Sequence, residues 1–109
     1  MKEIDPNDAV DFIRDNGRKF AQAKANRVYL EEFRKSKKAI LMRSSMESVI
    51  GKQESFAYSH PDYIEILSGI KDAVEIEEEL RWKMVAAQAR VEVWRSQEAS
   101  KRIEYKVTL

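Results

Sequence analysis

Apolar residues recur at three- and four-residue steps along nearly the whole chain, and strict alternation never lasts more than a few positions. Such spacing builds helices with a buried face, not a half-buried sheet. In the last third, Leu67, Ile70, Val74, Leu80, Met84, Ala87, Val91 and Trp94 share one face. A second set, Trp82, Val85, Ala86, Ala89 and Val93, keeps the same spacing but lies about 180° away. The segment "LRWKMVAAQARVEVW" is thus apolar on two opposite sides and is expected to be sandwiched. One side is expected to pack on a long preceding helix through Phe20, Ala23, Leu30, Phe33, Ile40 and Leu41. The other needs a second cover: either a short N-terminal helix carrying Val10, Phe12 and Ile13, or another copy of the chain, a homo-oligomer being the favoured of the two.

Helix punctuation sets the expected boundaries. In "DPND", Asp5 is placed to cap and Pro6 to open a first helix, and in "SHPDY", Ser59 or His60 caps and Pro61 opens another. The pair Asn16-Gly17 reads as a break. These signals predict a short helix over about 6–15, a long one over about 17–47, a connection over 48–60 holding a helical turn or two, and a long helix over about 61–104. The tail 105–109 is expected frayed or extended. Two long helices joined by a short connection bury both apolar faces only by folding back. The expected architecture is a single all-α domain over 1–109: a long antiparallel helical hairpin with a short N-terminal helix, packed as a coiled-coil-like bundle.

Composition sharpens this picture. With 109 residues, 36% charged and 43% hydrophobic, the chain can build one thin core, and three Gly and two Pro leave few chain reversals. The absence of Cys excludes disulfides, thiol chemistry and Cys-ligated zinc. Neither a membrane-spanning apolar run nor a signal-peptide pattern is visible, so a soluble protein of the bacterial cytoplasm, without membrane contact, is expected.

Charge is balanced in total, at +1, but laid out in blocks: ten basic against three acidic residues from Arg14 to Arg43, and seven acidic against one basic from Asp62 to Glu79. Within the basic block Lys24, Arg27, Arg34, Lys35 and Lys38 fall within about a third of a helical circumference, a ridge placed to follow phosphates along a DNA strand. Lys37 falls at the seam edge beside Leu30 and Leu41. In a folded-back hairpin the acidic face Glu65, Asp72, Glu75 and Glu79 could instead neutralise the ridge, so structural pairing and polyanion contact stand as alternatives.

Catalytic chemistry finds little to work with. His60 is the only histidine and sits at a helix start, where capping accounts for it. The carboxylates of "EIEEEL" lack the Glu-x-x-His partners of bundle metal sites, and no Gly-rich loop precedes a helix. No enzyme activity, metal or cofactor is expected.

The runs "AQAKANRVYLEEFRKSKKAILM", "AYSHPDY" and "LRWKMVAAQARVEVWRSQEASKR" resemble a family of small all-helical proteins encoded by tailed phages and prophages, over roughly residues 9 to 102. Members often lie beside early, recombination or replication genes and have no established catalytic residues. The resemblance implies a non-enzymatic accessory protein acting through protein contacts, with a phage or host protein or with DNA, in recombination or replication. The alternative is an inhibitor or adaptor that binds a host nuclease or defence complex, its acidic block Asp62 to Glu79 mimicking nucleic-acid charge.

Overall fold

The computed structural model describes residues 4–108. It holds three α-helices, α1 (Pro6–Ser44), α2 (Ile50–Ser59) and α3 (Pro61–Thr108), and no strand among the described residues. The all-α helical hairpin stands as the sequence predicts. The chain divides into two compact units, Ala21–Glu78 and the pair of segments Met1–Phe20 with Glu79–Leu109.

Both proline-marked starts are as expected. The Asn7 N–H donates to Asp5 Oδ1 at 2.8 Å, ahead of Pro6. At the other start the Asp62 N–H donates to His60 Nδ1 at 3.1 Å, and the His60 carbonyl accepts from the Tyr63 and Ile64 N–H groups. His60 also closes α2, its backbone extended because Pro61 follows. The lone histidine therefore serves both sides of a helix-to-helix corner.

Two expectations fail. No break occurs at Asn16-Gly17: what was expected as a short N-terminal helix and a long second one is the single helix α1, which ends at Ser44. Asn16 stays helical by donating its Nδ2 to the Phe12 carbonyl at 2.9 Å, and Ile13, Asn16 and Phe20 are all partly buried, so packing on one continuous face overrides the local preference for a turn. The tail is likewise helical to Thr108, while Leu109 lies outside the described residues.

In the Ala21–Glu78 unit, the shielded positions of α1 include Ala23, Arg27, Leu30, Arg34, Lys37 and Leu41, and those of α3 include Tyr63, Ile66, Ile70, Ala73 and Glu77. Along these rows steps of four and three alternate, a coiled-coil seam with a 3.5-residue repeat. Phe33 and Ile40 on α1, and Leu67 and Val74 on α3, expected at this seam, are exposed instead. A 3.6-residue stripe drifts off a seam that repeats every 3.5 residues; Arg34 and Lys37 stand at the seam on α1, and Ile66 and Ala73 on α3. At the connection Leu41, Ala57 and Tyr63 form the core, with Met42 against it and the rings of Tyr58 and Tyr63 edge to face at 5.3 Å. In the other unit the same alternation runs through Ala9, Ile13, Asn16 and Phe20 on α1 and Leu80, Met84, Ala87, Val91 and Trp94 on α3. The Arg81 guanidinium lies 5.7 Å from the centre of the Phe20 ring.

Two substitutions test this frame. Gly17 lies inside a helix with no atom within 4 Å of where a Cβ would stand. Gly17→Ala is expected to stabilise the fold by about 0.5–1 kcal/mol, read as a higher urea midpoint, because alanine loses less backbone entropy on becoming helical. Leu41→Ala, in the connection core, is expected to cost about 2–5 kcal/mol on the same measurement.

Candidate interaction surface

Two of the five ridge residues, Arg27 and Lys38, are engaged with partners on other helices. Arg27, expected on the ridge's outer edge, turns into the seam of the Ala21–Glu78 unit and holds Glu77 through Nε to Oε2 and, at 3.2 Å, Nη2 to Oε1. Its Nη1 donates to both carboxylate oxygens of Glu31 at 3.1 Å, one turn along α1. Glu77 is 1% exposed, and the Arg27 side chain 23%. The hydrogen bonds to Glu77 and then Glu31 raise the guanidinium's already high pKa, against the opposing effect of desolvation. Arg27 thus stays charged at every accessible pH.

Lys38 is also engaged. Its Nζ lies 4.6 Å from the centre of the Tyr58 ring and 3.8 Å from Glu54 Oε1 on α2. The side-chain hydrogen bond with Tyr58, more than the charge of Glu54, holds its pKa above the usual lysine value. Lys37 sits at the seam edge as expected and reaches Asp62 Oδ2 at 3.5 Å. Lys35 pairs along its own helix with Glu32 at 3.3 Å, Arg34 is half-buried, and Lys24 is exposed. Pairing between the basic and acidic blocks is therefore real, but it uses Glu77 and Asp62, not the outer acidic face of Glu65, Asp72, Glu75 and Glu79. No group of three or more acidic or histidine side chains placed to hold a metal ion occurs among the described residues.

The second apolar face of α3 is where the spacing puts it, and it is bare. Trp82 is 66% exposed, Val85 42% and Val93 44%, with Ala86 and Ala89 exposed between them. Of the N-terminal residues offered as intrachain cover, Val10 is exposed, while Phe12 lines an open groove with Ala9, Ala86 and Ala87, so it borders this face at Ala86 and leaves Trp82, Val85 and Val93 exposed. Trp94, by contrast, lies half-buried on the seam side. In the Ala21–Glu78 unit, the small residues Ala23, Gly69 and Ala73 leave an open apolar groove of about 330 Å³ beside Tyr29 and Ile76. No helix among the described residues is long and apolar enough to cross a membrane.

No family model, no curated protein and no solved structure matches this chain.

Because Arg27 and Glu77 occupy positions a seam ordinarily fills with leucine, removing one partner takes from a shielded charge its counter-ion on the facing helix, whereas replacing both by apolar residues leaves no such charge. Arg27→Met and Glu77→Leu are each expected to lower the thermal midpoint, and the double variant to recover most of the loss. Additive losses in the double-mutant cycle would show that the pair is not coupled.

Proposed function

We propose that the protein is a non-enzymatic accessory module that acts through protein–protein contacts made by the outer face of α3. One observation supports this above the others: Trp82, Val85 and Val93 stand exposed in register on a helix whose opposite face is already packed. An aromatic anchor flanked by aliphatic and alanine positions is the composition of a helix-docking surface, and apolar stripes of this kind are rarely left in water.

DNA contact is the weaker part of the reading, since Arg27 and Lys38 are already engaged with carboxylates and an aromatic ring. The nucleic-acid-mimicry alternative draws on an acidic block from which Glu77 and Asp62 are likewise already drawn into pairs. The phage setting, in recombination or replication, rests on the resemblance alone.

Photo-crosslinking tests the surface directly. With a photoreactive residue placed at Val85 or Val93 in expressing cells, an adduct of higher mass than the single chain is expected, and none with the same residue at Lys35. Absence of any adduct from both α3 positions would remove the outer face as the working surface.

A further inference from the structure

The outer stripe of α3 is longer than its most apolar part. From Trp82, Ala86, Ala89 and Val93 the same four-three alternation continues without interruption to Ser96, Ser100, Ile103 and Val107. Ile103 is 64% and Val107 80% exposed, and every side chain from Ala99 to Val107 is exposed. The stripe therefore extends onto a stretch of α3 whose side chains are all exposed. Its 26 residues span about 39 Å of helix and nearly four heptads, long enough for a coiled-coil pairing.

We propose that the occupant of this stripe is the same stripe of a second copy, running antiparallel about a two-fold axis between residues 94 and 95. This rests on the reading of the outer face of α3 as the working surface and names its partner. Two features select the arrangement. In two of the four distinct layers large meets small: Val93 lies against Ser96 of the partner subunit, and Ala86 against Ile103 of the partner subunit. Ala89 lies against Ser100 of the partner subunit, and Trp82 closes each end against Val107 of the partner subunit. A parallel in-register pairing stacks each of these positions on itself, Ser96 and Ser100 included, and leaves two adjacent layers polar.

Charge selects the same register. Lys83 and Arg90 flank the stripe on the side that also carries Gln97 and Glu104. Antiparallel pairing about this axis brings Lys83 to Glu104 of the partner subunit, and the two-fold makes that contact twice. Lys83 already holds Glu79 of its own helix at 3.1 Å, so its ammonium is oriented and would bridge two carboxylates. On the other flank Val85 meets the aliphatic stem of Lys106 of the partner subunit. A shift of one heptad places Arg90 against Glu104 of the partner subunit and leaves Trp82 outside the contact.

Light scattering over a concentration series, combined with a charge swap, decides this. The wild type is expected to be a dimer, and Val93→Glu, an exposed position whose change spares the seam, a monomer of unchanged helicity. Lys83→Glu and Glu104→Lys are each expected to weaken dimerisation roughly tenfold at low salt, and the double variant to restore it to within about threefold. A dimer that the double variant fails to restore overturns the register. A monomer at all concentrations overturns self-pairing, and crosslinks from Val85 or Val93 to a different chain would then still uphold the protein-contact reading.

Discussion

The ion pair between Arg27 and Glu77 is the constraint on which the Ala21–Glu78 unit is built. Two residues at core-type positions are charged, one of them shielded from water almost completely, and their mutual geometry is what makes that burial tolerable. Apolar side chains along a two-helix seam are nearly interchangeable from one heptad to the next, so apolar packing alone specifies register weakly. A slip of one heptad would set Arg27 against Ile70 and leave a shielded guanidinium facing hydrocarbon. Glu31 anchors the arginine from its own helix, so that the fork is already aimed when the second helix arrives.

From that pair the rest of the electrostatics follows. Once Arg27 is fixed opposite Glu77, the hairpin register carries Lys37 to Asp62, while α2 brings Glu54 and the Tyr58 ring to Lys38. Two pairs, Arg27 with Glu77 and Lys37 with Asp62, join the two charge blocks that make the chain look suited to a polyanion. Exposed single pairs such as Lys35 with Glu32 add little to stability, because water and salt screen them. What the pairing changes is availability: cations spent on carboxylates are poor phosphate ligands.

Much of this was legible in the residues. Asp5 with Pro6 and His60 with Pro61 mark helix starts by side-chain chemistry that works locally, and they hold. The outer stripe from Trp82 to Val93 was legible because its spacing is uninterrupted and its residues are unambiguous. The seam was harder to see, since charged residues stand at Arg27, Arg34, Lys37 and Glu77, and a search for apolar positions passes over them to Phe33, Ile40, Leu67 and Val74. Only the partner helix turns a charge into a core residue, and a single helical wheel does not contain the partner. Asn16-Gly17 misleads for a related reason: the local cost of helix there is below about 1 kcal/mol per residue, and the flanking Ile13 and Phe20 recover it by packing.

The kind of residue buried explains why the outer faces matter. Among the described residues the buried apolar set is Ala9, Ala23, Leu41, Ala57, Tyr63, Ala73 and Ala87, in which alanine predominates. Alanine lets helices approach closely, but each one removes little apolar area from water, and the hydrophobic gain scales with that area. Several large side chains lie outward, with Tyr29, Ile40, Ile76, Trp82 and Ile103 more than half exposed. A hairpin whose fully buried positions are mostly alanine, and which holds several bulky side chains outward, has placed part of its hydrophobic driving force on its outer faces. There it acts only when another helical surface arrives, and association and stability become parts of one equilibrium.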